Sequence, residues 1–136
     1  MRERCLHAYI SLPMIHVRDF EFNRRYIDVV ESLGVYVISK WVAVPPAESK
    51  LAPGEVFKRD ILGILSCDIL IADVTFPSHG VGMELMCAYA LGRRIIVTYR
   101  RGTRISYMIL GLPTVTFIEY EDLEDLKSKM KKILQG

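Results

Sequence analysis

The chain has 136 residues, 51% hydrophobic and 25% charged, with a net charge of only +2. That is enough chain for a single domain over residues 1–136 with a real core. The near-balanced charge argues against a nucleic-acid polymer as partner, since duplex binding needs a concentrated basic face. No apolar run reaches the ~18 residues of a membrane helix and no signal-peptide pattern is visible, which argues against membrane and secreted classes.

Leu6 to Leu12 reads as a first strand, stopped at Pro13. Asp19 can cap a helix to Leu33 whose apolar face carries Phe22, Tyr26, Val29 and Val30, and Gly34 ends it. Val35 to Val44 contains a second strand, closed by Pro45-Pro46. The polar stretch Pro45 to Gly54 reads as a mobile loop. A helix from Glu55 to Ser66 is expected to bury Phe57, Ile61, Ile64 and Leu65. Strand three is Asp68 to Asp73, followed by a helix from Gly82 to Leu91 and a fourth strand from Arg94 to Tyr99. Gly102 to Gly111 holds a short helix, and Thr114 to Ile118 a fifth strand. The last helix aligns Leu123, Leu126, Met130, Ile133 and Leu134. Its acids come first and its lysines last, as the helix dipole prefers, so the basic run from Lys127 to Lys132 reads as a helix end.

Apolar strands alternating with amphipathic helices imply an α/β fold with a parallel sheet covered on both faces. Such sheets place ligands outside the carboxyl ends of the strands. The loops after strands one, three and four should therefore converge, bringing Ser11, Ser78 to Glu84, and Arg100 to Tyr107 toward one site.

The run Asp73-Val74-Thr75-Phe76-Pro77-Ser78-His79-Gly80-Val81-Gly82-Met83-Glu84 joins strand three to its helix. A small-residue loop there leaves backbone N–H groups free at the helix start, where an anion is favoured. Glu84 in the first turn would be kept ionised by the helix terminus; alone it reads equally as an ordinary first-turn acid. Asp60 alone reads as a solvated helix residue, and Ser78 as a turn residue or a phosphate ligand. Cys5, Cys67 and Cys87 are odd in number and lack zinc-like spacing, so they read as reduced thiols of a cytoplasmic protein. His7 and His16 have no metal-ligand spacing, and no metal or cofactor is implied. The Walker phosphate loop, the dinucleotide fingerprint and the serine-hydrolase elbow are all absent.

Asp60, the segment Cys67-Asp68-Ile69-Leu70-Ile71-Ala72-Asp73-Val74-Thr75-x-Pro77-Ser78-x-Gly80-Val81-Gly82-x-Glu84-Leu85, then Arg94-Ile95-Ile96 and Ser106-Tyr107-Met108-Ile109 follow in order. This pattern resembles the nucleoside 2-deoxyribosyltransferase superfamily, most closely its branch of 2′-deoxynucleoside 5′-monophosphate N-glycosidases. The resemblance spans about residues 5 to 118 and implies a flavodoxin-like three-layer sandwich with strand order 2-1-3-4-5. It implies Glu84 as a nucleophile that forms a covalent glycosyl-enzyme, and Asp60 as the acid that assists base departure and later activates water. It implies that Ser78, Gly80 and Gly82 form the phosphate loop, and that Ile10, Ser11, Leu12 and His16 line the base and sugar pocket. Ser106, with Met108, would reach a neighbouring subunit's site, making the working unit a homodimer. His7 stands where the family usually has a tyrosine that orients the nucleophile, and an imidazole can donate that bond. Leu12-Pro13-Met14-Ile15-His16-Val17-Arg18 replaces the family's glycine-rich loop with a bulkier one. A non-catalytic nucleotide-binding module and a deoxyribosyl transferase are the rival readings.

Overall fold

The computed structural model describes residues 5–14, 20–45 and 50–135. His16, the expected cap Asp19, and residues 46–49 of the expected Pro45–Gly54 loop lie outside the described residues.

Five parallel strands form one sheet in the order β2-β1-β3-β4-β5, as the sequence implies. In chain order the elements are β1 (His7–Ser11), α1 (Phe20–Ser32), β2 (Tyr36–Val37), a 3₁₀ turn (Lys40–Ala43) and α2 (Pro53–Ser66). Then come β3 (Ile69–Asp73), α3 (His79–Ala90), β4 (Arg94–Arg100), α4 (Tyr107–Leu110), β5 (Thr116–Tyr120) and α5 (Leu123–Gln135). Among the described residues no helix is long and apolar enough to cross a membrane.

The period-two alternation of the strands feeds two cores. Ala8, Ile10, Ile69 and Ile71 face one side and pack with Tyr26, Val30, Leu126 and Met130 of α1 and α5. Tyr9, Leu70 and Ala72 face the other and pack with Ile64, Val81 and Leu85 of α2 and α3. β3 is buried at every position, as a central parallel strand should be.

Two expected details change. The second strand is only two residues long, because Ser39 leaves the sheet: its buried hydroxyl donates to Ile10 O at 2.8 Å and accepts from Ile10 N at 2.7 Å. The expected buried stripe of α2 is mostly not buried. Ile64 is at 0% exposure, but Phe57 and Leu65 are at 59% and 46%. The helix is turned so that Gly63 and Ile64 meet the sheet.

With β1 beside β3, the chain reverses its direction of travel across the sheet between these two strands. Their carboxyl ends open a crevice at that switch point.

Candidate active site

Tyr9 and Ser11 lie two residues apart on β1 and so share its α2/α3 face. Both donate hydrogen bonds to the Glu84 carboxylate: the Tyr9 hydroxyl to Oε2, and Ser11 Oγ to Oε1 at 2.7 Å. Each carboxylate oxygen therefore has its own donor from one rigid strand. Burial, then the charge of Glu84, pushes the Tyr9 phenol far up, so it keeps its proton as a donor.

Glu84 does not sit in the first helical turn, as the sequence suggests. Ser78 caps α3, its side chain accepting from Val81 N at 3.3 Å, so the helix begins at His79 and Glu84 falls in the second turn. The dipole effect fades within the first turn, and burial decides the charge state. Burial pushes the Glu84 carboxyl up to about 7; the bonds from Tyr9 and Ser11 pull it down, and the neighbouring Asp60 carboxyl pushes it up again. The two carboxyls thus stand as a close pair.

Asp60 reaches this pair from α2. Its Oδ1 lies 2.9 Å from Arg59 Nε, both side chains about a quarter exposed. The Arg59 guanidinium is stacked over Trp41, 4.7 Å from the ring centroid, and Trp41 meets Tyr9 edge-on at 6.1 Å. Gly63 makes this packing possible. A Cβ there would lie 2.9 Å from Tyr9 Cε2 and 3.4 Å from Trp41 Cη2.

Two cavities meet at Asp60, Gly80 and Glu84. One, of about 510 Å³, is walled by Leu12, Met14, Val56 and the loop from Pro77 to Val81. The other, of about 750 Å³, is an apolar groove between α2 and α3 that includes Phe57, Ile61, Met83 and Met86. The smaller one holds two carboxyls, a helix N-terminus and an apolar wall. A sugar bearing an anion at one end and a flat base at the other suits that combination.

No family model matches the chain. A protein of Thermofilum pendens named 2′-deoxynucleoside 5′-phosphate N-hydrolase 1 is 31% identical over 138 residues, covering 96% of each chain. The chain belongs to the 2′-deoxynucleoside 5′-phosphate N-hydrolase family. The fold is shared with a CMP N-glycosidase of Clostridium botulinum, at a TM-score of 0.73 and 22% identity over 93% of this chain and 98% of that one. It is shared too with a 2-deoxyribosyltransferase of Bacillus psychrosaccharolyticus, at a TM-score of 0.67 and 22% identity over 89% and 90%.

Against the family pattern, the position of His7 requires a correction. His7 lies on the same strand face as Tyr9 but two residues nearer the amino end, roughly 6.5 Å away along the strand. Its ring packs on Tyr36 at 5.0 Å and its backbone N–H donates to Asp68 Oδ2 at 2.9 Å, at the amino end of β1, away from Glu84. Tyr9 supplies the phenol instead. Ile10 is also misplaced by the sequence reading. Its side chain is fully buried on the opposite face, in the α1/α5 core, and its backbone is taken by Ser39.

Leu12 lines the smaller cavity as expected, together with Ser78 and Gly80. Gly82 lines neither cavity at Glu84, and a Cβ on it would meet nothing within 4 Å. Ser106 caps α4, accepting from Met108 N at 3.2 Å. Within one chain, Ser106 and Ser78 line a small cleft of about 80 Å³ together with Arg104. Met108 is 78% exposed, and neither it nor Ser106 lines the cavities at Glu84.

Sequence reasoning missed Tyr9, Trp41, Arg59 and Gly63. Tyr9 had a readable signal: it shares the strand face of Ser11. The other three depend on how α2 is turned against the sheet.

Proposed function

We propose that this chain cleaves the N-glycosidic bond of (deoxy)nucleoside 5′-monophosphates, releasing free base and (deoxy)ribose 5-phosphate. The observation that carries this is Glu84, held by Tyr9 and Ser11 from one side, with Asp60 beside it in a cavity that also holds Ser78 and Gly80. In its ionised form Glu84 attacks the anomeric carbon. The C–N bond breaks and its electron pair leaves with the base, which takes a proton from Asp60. The glycosyl ester on Glu84 is then opened by water, whose proton returns to Asp60 and whose hydroxyl stays on the sugar. A nucleophile whose pKa lies near 7 is ionised in a large fraction of molecules at neutral pH without being strongly stabilised as the anion. The departure at His7 would favour a non-catalytic module, but Tyr9 offsets it by placing a phenol on the same carboxylate.

The test is free-base release from a panel of ribo- and deoxyribonucleoside 5′-monophosphates, with Glu84→Ala as control. Release that depends on Glu84 is expected and would name the base and the sugar together. Release from no member, with binding retained, would end the hydrolase reading.

The second part of the reading is a homodimer in which the Arg104 to Met108 segment reaches the neighbouring site. Tyr107 and Met108 at 89% and 78% exposure, and the apolar α2/α3 groove, support an additional protein surface there. Sedimentation at micromolar concentration is expected to give a dimer. Ser106→Ala is expected to weaken monophosphate binding about tenfold more than nucleoside binding. A monomer, or equal weakening of both ligands, would contradict it.

A further inference from the structure

Two carboxyls that work side by side, one ionised and one holding a proton, respond strongly to a nearby positive charge, which favours the ionised form of the pair. The groups facing Glu84 are few. β1 contributes Tyr9 and Ser11, α2 contributes Asp60 with its neighbour Arg59, and His79 of α3 lines the same cavity. Among these described residues Arg59 is the permanent cation.

We propose that Arg59 is a positioning residue of this site: stacked on Trp41 and paired with Asp60, it fixes the acid's carboxyl beside Glu84 and supplies the charge that lets both carboxyls work. The inference rests on the N-hydrolase reading above and adds a residue to it.

Three observations support it independently. A surface arginine with only an adjacent aspartate as partner would be free to swing, and such pairs contribute little. Here the guanidinium carbon sits over an indole, 4.7 Å from the ring centroid, while Nε lies 2.9 Å from Asp60 Oδ1. The indole is itself held: it meets Tyr9 edge-on, and both rings pack so close to Gly63 that a Cβ there would crowd them. Finally, the charge of Arg59 is felt at Tyr9, where it opposes the upward push of burial. Arg59, Trp41 and Tyr9 thus form a continuous strut that links the Asp60 side of the pair to the Glu84 side. Arg59 touches no reacting atom; it acts through Asp60.

The experiment follows the carboxyl carbons of Asp60 and Glu84 by ¹³C NMR through a pH titration of the full chain, in wild type and in Arg59→Gln. Loss of the cation should raise the upper of the pair's two apparent pKa values by about half a pH unit or more. The acid limb of base release should move up by the same amount, with kcat reduced and KM for the monophosphate little changed. Arg59→Lys, which keeps the charge without the planar stack, should shift the titration less. An upper value unchanged in Arg59→Gln would overturn the proposal. Should that variant fail to fold, Arg59→Met keeps the stem on Trp41 without the charge and is read in the same way. A wild type that releases no base, yet shows the titration shift on loss of Arg59, would reject the hydrolase reading while leaving the positioning role standing.

Discussion

Two carboxylates stand near the carboxyl end of β3, and the chain treats them in opposite ways. Asp73 ends the strand at 2% exposure. Its Oδ2 accepts from Thr98 Oγ1 at 2.8 Å and from the Tyr120 hydroxyl at 2.7 Å, and its Oδ1 accepts from Thr75 N at 3.0 Å. Tyr26, 2.7 Å from Thr98 Oγ1, extends this network into the α1/α5 core. Glu84 has two donors, both from β1, and its remaining side opens on a cavity shared with a second carboxyl. A buried acid enclosed by donors ties strands together. A buried acid with donors on one side and space on the other is held in place to meet something.

The largest effects should come from exchanging each acid for its amide. Glu84→Gln should lower base release by on the order of 10³-fold or more, because the amide cannot form the glycosyl ester, while monophosphate still binds. Its effect on stability has a definite sign. The folded pKa of Glu84 is raised from 4.5 to about 7, so between those values the folded chain holds a proton that the unfolded chain has released. Wild-type stability therefore falls as pH rises through that window. The amide lacks this slope, and at pH 8 it should gain on wild type by about 3 kcal/mol relative to pH 4 in urea denaturation. Asp73→Asn should do the reverse, costing about 2–4 kcal/mol of stability by setting an NH₂ against hydroxyl donors, with base release per folded molecule largely kept. An Asp73→Asn protein that is stable but inactive would break the distinction.

The contrast also shows what a sequence can carry. A parallel sheet covered on both faces was legible because its strands are apolar throughout and alternate with amphipathic helices, whereas the strand order came from the family resemblance. Glu84, Asp60, Ser78 and Leu12 were legible because they occupy a linear motif or the end of a strand. The helix start was misjudged by three residues: Gly80 and Gly82 look like loop, but the Ser78 cap starts α3 at His79. That error put Glu84 under the helix dipole, when burial governs it. Trp41, Arg59 and Gly63 were not legible. They come from a 3₁₀ turn and from α2, whose expected buried stripe was wrong, and their roles follow from a rotation that no local pattern encodes.

The smaller and sharper test concerns which phenol or imidazole holds the working carboxylate. Tyr9→Phe removes the donor on Glu84 Oε2 and, with it, a bond that holds the Glu84 pKa down. Base release should fall about 10- to 100-fold, and the acid limb should move above pH 7. Gly63→Ala should push the same way less strongly. A Cβ 2.9 Å from Tyr9 Cε2 forces ring or helix to shift, and the added methyl regains part of the lost stability through its better helix propensity. His7→Ala removes only an exposed ring packed on Tyr36, so base release should stay within about twofold and its pH profile should not move. If His7→Ala instead shifted the pH profile and Tyr9→Phe did not, the position that matches the family pattern would be the one in use. The hydrogen bond from Tyr9 would then be packing rather than chemistry, and Glu84 would resemble Asp73 more closely than its open side suggests.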